Sequence, residues 1–156
     1  MIELHPLAKD AMSLVAHIAV TQEQEPFCGT IAGHFADADP AVDFHRILRD
    51  GRAIGFFKID RAYAERYDFA CPGELGLRGV MIDAAEQGSG SGTAAMTQLR
   101  DYLPPHYPEA AAVLLTVNAV NPAALAVYRK AGFDDTGALY RGGRIGPQIV
   151  MRLDLR

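Results

Sequence analysis

The first forty residues carry two stretches in which apolar side chains recur with a helical period. In the first stretch they occupy positions i, i+3, i+4 and i+7, at Ala11, Leu14, Val15 and Ile18. This spacing is typical of one face of an amphipathic helix. A weaker stripe of the same period runs through Phe27, Ile31 and Phe35. The pattern therefore predicts two helices, separated by a polar break at residues 21–26.

The next pattern is that of a β-hairpin. Strand-like runs cover residues 42–49 and 52–59, and Asp50-Gly51 joins them. An Asp-Gly pair tolerates the positive φ angles of a two-residue type I′ turn. The sequence therefore predicts two antiparallel strands that meet at this turn.

From residue 75 onward, strand-like and helical segments alternate. In order, the pattern predicts a strand at 75–82, a helix that opens at the turn 87–92 and ends at Pro104-Pro105, a strand at 113–117, a helix between Asn121 and Gly132, and strands at 134–140 and 148–153. A strand–helix–strand unit needs a parallel crossover, whereas hairpins need antiparallel neighbours. We therefore expect a mixed sheet packed against helices, in an α/β or α+β fold.

The composition limits the class of protein. The 156 residues fit one domain, with 49% hydrophobic and 22% charged residues. The net charge is −4, from 15 basic and 19 acidic residues, whereas a nucleic-acid or anionic-membrane binder normally carries a basic excess. No apolar run approaches the roughly 20 residues that span a bilayer, and the N-terminus lacks a signal-peptide pattern. We therefore expect a cytoplasmic protein that binds neither nucleic acid nor membrane.

The two cysteines, Cys28 and Cys71, form no CxxC pair. No group of cysteine and histidine residues has the spacing of metal ligands. We therefore expect two reduced thiols and no metal site, since cytosolic thiols stay reduced.

The sharpest chemical signal is a glycine-rich turn that follows a predicted strand and opens a predicted helix. Glycines let backbone N–H groups approach an anion without a clashing Cβ, and a helix N-terminus adds free N–H donors and partial positive charge. Such a turn predicts a phosphate or pyrophosphate site, although the same glycines also fit a flexible turn. The segment consists of Gln87, Gly88, Ser89, Gly90, Ser91, Gly92 and Thr93.

Two well-known phosphate-binding motifs, the P-loop and the dinucleotide fingerprint, do not fully match this turn. A P-loop needs a lysine near its end, and the turn has none. A dinucleotide fingerprint GxGxxG needs glycine at position 93 or 95, where the chain has Thr93 and Ala95. Alanine is tolerated there, but the fingerprint normally lies in the first strand–turn–helix unit. A nucleotide-binding enzyme therefore stays open as a weaker alternative.

A second segment of interest covers residues 121–133. Asn121 fits the N-cap of the predicted helix and Pro122 its first position, while Tyr128 lies on the apolar stripe of that helix. On this pattern alone, both Asn121 and Tyr128 read as structural residues. A tyrosine phenol also donates protons, however, so Tyr128 is a candidate general acid for a leaving thiolate.

Together, the two segments resemble the two cofactor signatures of the GNAT N-acetyltransferase superfamily. The Gln-x-x-Gly-x-Gly pattern at 87–92 resembles its acetyl-CoA signature, and the Asn-x-x-Ala-x-x-x-Tyr-x-x-x-Gly-Phe pattern at 121–133 resembles its second signature. Asp83 sits where the family often has aspartate at the end of the fourth strand. The close match covers about 75–133, while the hairpin and residues 1–4 would supply the first three strands.

The resemblance implies a single GNAT-like domain over residues 1–156. Its central sheet would be mixed and mostly antiparallel, flanked by helices, with a fourth and a fifth strand that splay apart. Acetyl-CoA would be the cosubstrate and lie between these strands, with no metal involved. The N–H groups of 87–93 would hold its pyrophosphate. The pantetheine arm would pair with backbone groups of Met81, Ile82 and Asp83 and bind Asn121.

The same resemblance implies an enzyme, an acetyl-CoA-dependent acyltransferase that works by direct attack. A neutral amine would attack the thioester in a ternary complex, so neither cysteine is needed as a nucleophile. A backbone N–H near Ile82 would stabilise the oxyanion, and Tyr128 would protonate the leaving thiolate.

The general base that deprotonates the amine is harder to place. The family often uses a carboxylate on the fourth strand, and Glu74 is the nearest one, at the very start of that strand. Gly76 occupies the more usual position. His45, Glu23 and Glu25 are weaker candidates. The chain also has Gln87 where an arginine is commoner, which removes one cation near the phosphates.

The acceptor is expected to be a small-molecule or peptide amine. Carboxylates at Glu23 and Glu25 would suit a cationic acceptor, whereas Arg141 and Arg144 would suit an acidic one, so its charge stays open. The resemblance also implies a homodimer, for which the sequence carries no interface signal. The unplaced base leaves a second reading: an acyl-CoA-binding sensor or scaffold of the same fold without turnover.

Overall fold

The computed structural model describes residues 1–156 and contains seven strands and six α-helices. The strands are β1 (Ile2–Leu7), β2 (Val42–Arg49), β3 (Arg52–Asp60), β4 (Leu75–Ile82), β5 (Ala112–Asn118), β6 (Asp134–Tyr140) and β7 (Gln148–Asp154). The helices are α1 (Glu25–Cys28), α2 (Ile31–Ala36), α3 (Tyr63–Arg66), α4 (Ser91–Thr97), α5 (Leu99–His106) and α6 (Pro122–Lys130). None of these helices has the length and apolar character needed to cross a membrane.

The strands form one sheet in the order β1-β2-β3-β4-β5-β7-β6. Every neighbouring pair is antiparallel except β4 and β5, which run parallel and pair only at Leu75 with Val113 and at Gly76 with Leu114. Beyond these two pairs the strands separate. The structure therefore confirms the predicted mixed, mostly antiparallel sheet with a splayed fourth and fifth strand.

The hairpin between β2 and β3 forms as predicted. Asp50 has φ 49° and Gly51 has φ 84°, which are the two positive angles that a type I′ turn needs. Asp50 is also the one non-glycine residue with positive φ, and a short polar side chain tolerates that region best.

The prediction of a first amphipathic helix at residues 11–18 was wrong. The chain there forms only a 3₁₀ turn at Met12–Leu14. Val15 and Ile18 are nevertheless buried, against Phe44 and Phe56 on one face of the sheet. The apolar spacing reflects this packing, and not a regular helix.

The second predicted helix is divided into α1 and α2. Gly29 separates them with φ 75°, an angle that a right-handed helix cannot include. The Thr30 hydroxyl then caps α2 by accepting a hydrogen bond from the N–H of Gly33 at 3.1 Å. After this break, α2 places the ring of His34 against Gly79 of β4.

Helix α5 extends one residue past the predicted stop at Pro104-Pro105 and ends at His106. Both prolines lie in its last turn, and they leave the carbonyls of Arg100 and Asp101 without N–H donors. Arg100 and Asp101 are exposed, so water can satisfy these carbonyls. The prolines therefore end the helix slightly later than expected.

The core has one layer on each face of the sheet. On one face, α4, α5 and α6 cover the sheet with Met96, Leu99, Leu103 and Leu125. On the other face, the segment from residue 15 to α2 covers β2 and β3. The gap between β4 and β5 opens between these layers.

Gly76 in β4 provides a first test of the packing. A Cβ at this position would overlap the ring of Tyr63, which is 2% exposed and packs against Tyr67 and Phe69. Because the ring has no free space to enter, we expect Gly76→Ala to lower the free energy of unfolding by about 1–3 kcal/mol. Urea unfolding measures this change.

Gly92→Ala in α4 is the matched control for that substitution. Its nearest neighbour, Ile82 Cγ1, would lie at an ordinary 3.7 Å from the new Cβ, and alanine is the better helix former. We expect no loss of stability there. Unchanged stability of Gly76→Ala would show that the Tyr63 ring does not constrain β4.

Candidate active site

The gap between β4 and β5 opens into a cavity of about 960 Å³. The glycine-rich turn forms one end of the cavity, and β4, β5 and α6 form its long walls. Residues of α1 and α2, Tyr63, Tyr67 and the connection between β6 and β7 also line the cavity. We call the part lined by these residues, Lys58 and Arg78 the distal half.

The glycine-rich turn presents a row of free donors to the cavity. Gly88 and Gly90 have φ 82° and 83°, and α4 begins directly after Gly90 without a side-chain cap. No backbone N–H from Gly88 to Thr93 donates to an acceptor within the protein. Donors without an acceptor at a helix N-terminus form an anion-binding site.

Arg49 at the end of β2 holds this turn in place. Its guanidinium donates to the hydroxyls of Ser89, at 3.1 Å, and Ser91, and it pairs with Glu86 at 3.3 Å. It also adds a positive charge next to the turn. No local sequence signal relates residues 49 and 89, so sequence reasoning missed Arg49.

The Gln87 side chain binds two neighbouring segments. It exchanges two amide hydrogen bonds with Gln24, at 2.9 and 3.0 Å, and it donates to the carbonyl of Ile82 at 2.8 Å. Gln87 therefore connects the glycine-rich turn to the segment that precedes α1. In this arrangement the amide NH₂ group of Gln87 already donates to two acceptors, so it is not free to bind a phosphate.

The end of β4 offers the gap fewer backbone groups than expected. The N–H of Asp83 donates to Ile54 on β3 at 2.8 Å, and Met81, two residues earlier, is paired with Phe56 on the same side. Because backbone groups alternate along a strand, only Ile82 of the three faces the gap. The expectation for Met81 and Asp83 is therefore corrected to Ile82 alone.

Helix α6 brings Asn121 and Tyr128 to the same wall. The Asn121 Oδ1 accepts from the N–H of Ala124 at 3.4 Å, as an N-cap does, which leaves its NH₂ group free. The Tyr128 ring packs edge-on against Phe133, and its hydroxyl has no partner within the protein. Burial, with a smaller effect of Cys28, raises the pKa of Tyr128, so its phenol is protonated at neutral pH.

Cys28 in α1 also lines the cavity. Its thiol donates to the carbonyl of Gln24 at 3.4 Å. Burial, and secondarily the charge of Glu25, raises the pKa of Cys28 to about 11. Because the thiolate is the nucleophilic form, this cysteine is unreactive at neutral pH.

The structure does not bring Glu74 to the cavity. This carboxylate is buried at the start of β4, where it pairs with Arg152 and accepts from the N–H of Cys71 at 2.7 Å. Because Glu74 does not line the cavity and both of its strong partners lie outside it, this carboxylate is not positioned to act as the base. At Gly76, the more usual position of the base, the Tyr63 ring occupies the space that a side chain would need.

The weaker base candidates also lie elsewhere. His45 is buried between the hydroxyls of Tyr102, at 2.7 Å, and Tyr107, at 2.9 Å, and burial lowers its pKa to about 4. Glu23 and Glu25 are exposed and do not line the cavity. These three residues are therefore not positioned for proton transfer in the cavity.

His34 on α2 does line the cavity, and sequence reasoning missed it. Its ring stacks on Phe56, and Nε2 lies 2.7 Å from the carbonyl of Cys28. A carbonyl only accepts, so Nε2 carries the proton and Nδ1 keeps its lone pair. Burial, followed by the charge of Lys58, lowers the pKa of His34, so the ring is neutral at pH 7.

No three His, Cys, Asp or Glu side chains lie close enough together to hold a metal ion. Of the two arginines expected at the acceptor rim, Arg144 lines the cavity, whereas Arg141 does not. The cavity is thus lined by an anion-binding turn, a protonated phenol and a neutral imidazole.

Comparison with known proteins found a matching family model and a curated relative. The family model described as "Acetyltransferase (GNAT) family" matches residues 5–133. A Bacillus subtilis (strain 168) protein named "Uncharacterized N-acetyltransferase YbbJ" is 29% identical over 106 residues, which are 67% of this chain and 66% of that protein. The match thus spans just under two thirds of the relative's own length.

Solved structures show the same fold at lower identity. The aminoglycoside acetyltransferase AAC(6')-Ib, crystallised with coenzyme A, superposes with a TM-score of 0.78 at 19% identity, covering 99% of this chain and 95% of that one. A spermidine N-acetyltransferase SpeG chimera of Vibrio cholerae and hSSAT superposes with a TM-score of 0.69 at 18% identity, covering 99% and 95%.

Proposed function

The chain belongs to the acetyltransferase (GNAT) family, and from that membership we propose that it transfers an acetyl group from acetyl-CoA to an amine. The observation that carries this proposal is the row of free N–H groups from Gly88 to Thr93 at the mouth of the gap between β4 and β5. A pyrophosphate satisfies such donors, and an extended pantetheine arm fits a gap between two strands. Acetyl-CoA, when bound, supplies the thioester that is attacked.

The residues along the gap between β4 and β5 hold acetyl-CoA. The N–H groups of Gly88 to Thr93 bind the pyrophosphate, with Arg49 behind them. The backbone of Ile82 and the free amide of Asn121 bind the pantetheine arm. Tyr128 lines the same cavity, and its phenol would face the sulfur.

The transfer step moves two protons. The amine nitrogen forms a bond to the acetyl carbon while the bond from that carbon to sulfur breaks. The amine proton passes to Nδ1 of His34, and the Tyr128 hydroxyl protonates the leaving thiolate. A backbone N–H on β4 near Ile82 stabilises the negative charge that develops on the carbonyl oxygen.

His34 replaces Glu74 as our proposed base. It is the one neutral imidazole that lines the cavity, and its Nδ1 has no partner within the protein. Its lowered pKa keeps it unprotonated near pH 7, which is the form a base needs. The hydrogen bond to the Cys28 carbonyl fixes the ring's orientation.

Calorimetry with acetyl-CoA tests the proposed function. We expect micromolar binding, and at 100 times the Kd a stabilisation of about 2.7 kcal/mol in thermal unfolding. Turnover is measured as release of free coenzyme A with a panel of amines. A well-folded protein that does not bind acetyl-CoA would contradict the proposal. Binding without any turnover would favour a sensor.

Gly90→Val tests whether the glycine-rich turn binds acetyl-CoA. Valine is strongly disfavoured at φ 83°, so the turn must rearrange and its row of donors is lost. We expect the Kd for acetyl-CoA to rise at least about tenfold, roughly 1.4 kcal/mol. Gly73→Val is the control, because Gly73 has φ 87° but lies outside the cavity. Equal weakening in both variants would mean that general strain is responsible.

A further inference from the structure

All the charged side chains that line the distal half of the cavity are positive. Three cations line it, Lys58, Arg78 and Arg144, and no carboxylate does. The one carboxylate that lines the cavity is Glu86, which lies at the glycine-rich turn and pairs with Arg49 at 3.3 Å. An acceptor that enters the distal half therefore meets positive charge.

Lys58 and Arg78 are brought together by the sheet itself. They are register partners on β3 and β4, so their side chains leave the same face directly opposite each other. Like charges in that position destabilise a sheet. Arg78 is compensated by the buried carboxylate of Asp60 at 3.1 Å, which also binds Arg66 at 2.7 Å.

Lys58 is left without a counterion. Its ammonium makes no hydrogen bond within the protein, and no carboxylate lies within 4.0 Å of it. Asp37 and Asp60 attract it only from farther away. Burial, followed by Arg78, lowers the pKa of Lys58 to about 8, so the group is still mostly protonated at neutral pH. A half-buried cation without a partner is stabilised by an anion.

The position of Lys58 relates this charge to the proposed chemistry. A Cβ on Gly79 would lie 2.9 Å from His34 Cε1 and 3.0 Å from Lys58 Cε. The two side chains therefore converge over the same point of β4, where Gly79 has φ 62°. An anion held by Lys58 would place the rest of its molecule beside the imidazole.

We propose that the acceptor is an amine that also carries a carboxylate, and that Lys58 and Arg78 bind this carboxylate. The proposal rests on the function proposed above and names its substrate class. The two cations pull the acid group towards β3 and β4 and leave the amine near His34. The same cations repel acceptors that carry several positive charges, such as polyamines and aminoglycosides.

Matched pairs of amines test this directly. Each of the common amino acids is compared with its carboxamide, which lacks the α-carboxylate, and spermidine and kanamycin are included as polycations. We expect kcat/KM for the best acid to exceed that of its amide by at least about tenfold. Aspartate amide and glutamate amide keep only a side-chain carboxylate, so they distinguish a free amino acid from an acidic peptide terminus.

Lys58→Gln removes the charge and keeps most of the side-chain length. We expect the preference for the acid over the amide to fall to about twofold or less, while the Kd for acetyl-CoA is unchanged. Lys130→Gln, an exposed lysine of α6 outside the cavity, is the control and keeps the preference. The melting temperature of ligand-free Lys58→Gln is expected not to fall, whereas a structural lysine would lower it.

A second measurement does not depend on turnover. With coenzyme A present, calorimetry compares binding of N-acetyl amino acids with binding of their N-acetyl amides. Tighter binding of an acid, lost in Lys58→Gln, supports the proposal. Equal binding, no binding of any acid, or faster turnover of spermidine or kanamycin overturns it. Acetyl-CoA binding is measured separately, so the proposed function can stand when this inference fails.

Discussion

Replacing Tyr128 by phenylalanine is expected to lower kcat by about 10²- to 10⁴-fold and to leave the Kd for acetyl-CoA almost unchanged. The ring keeps its edge-on packing against Phe133, so the cavity wall is preserved. Only the hydroxyl is lost, and it has no partner whose release would disturb the fold. The loss therefore concerns the proton that the leaving thiolate needs.

Steady-state kinetics and calorimetry on the same preparations separate the two effects. Tyr102→Phe is the matched control, because it also removes a half-buried hydroxyl, one that bonds to His45 outside the cavity. That variant should lose stability and keep kcat. Wild-type activity in Tyr128→Phe would remove this residue from the mechanism and reduce it to a wall of the cavity.

The pH profile should agree with this role. Burial raises the pKa of Tyr128 above the ordinary value near 10. The acid form therefore persists throughout the neutral range and into alkaline solution. We expect no loss of kcat with rising pH below about pH 10 that is due to this group.

The residues that the sequence assigned to acetyl-CoA binding could be identified because the features that predicted them are local. Consecutive residues make the glycine-rich turn, and Asn121 and Tyr128 lie on one helix whose cap and spacing are visible in the sequence. These residues reach the cavity as expected. The error at Met81 and Asp83 arose because a sequence does not show which edge of β4 each backbone group faces.

The residues of the distal half could not be predicted in the same way, because they come from elements that are far apart in the sequence. His34 reaches the cavity only because Gly29 breaks the second helix and reorients α2. Lys58 and Arg78 meet through strand register, which depends on a bulge between Phe56 and Lys58. Glu74 was predicted from its distance along the chain, but its partner Arg152 comes from the last strand.

His34→Gln is expected to lower kcat by about 10²- to 10⁴-fold, which is the usual contribution of a general base. The glutamine amide can still donate to the Cys28 carbonyl as Nε2 does, but it offers no basic nitrogen. We therefore expect little change in acetyl-CoA binding or in stability. The measurement is kcat at saturating substrates as a function of pH.

The direction in which kcat of the wild-type protein changes with pH can be predicted. Burial, followed by Lys58, lowers the pKa of His34 below the ordinary value of 6.5, whereas Asp37 and the hydrogen bond to Cys28 raise it and Arg78 lowers it further. Wild-type kcat should therefore fall as the pH drops through a value below 6.5. A bound carboxylate between Lys58 and Arg78 would offset their charges and move this fall to higher pH.

His17→Gln is the control for His34→Gln, because His17 Nε2 also lies 2.7 Å from a backbone carbonyl, that of Ala53, but outside the cavity. Equal losses in the two variants would indicate a shared effect on folding. If His34→Gln kept wild-type kcat and the acidic fall, the proton would leave the amine by another route. Loss of the acidic fall in His34→Gln alone would assign it to this imidazole, since the ammonium of Lys58, with a pKa of about 8, stays protonated throughout that pH range.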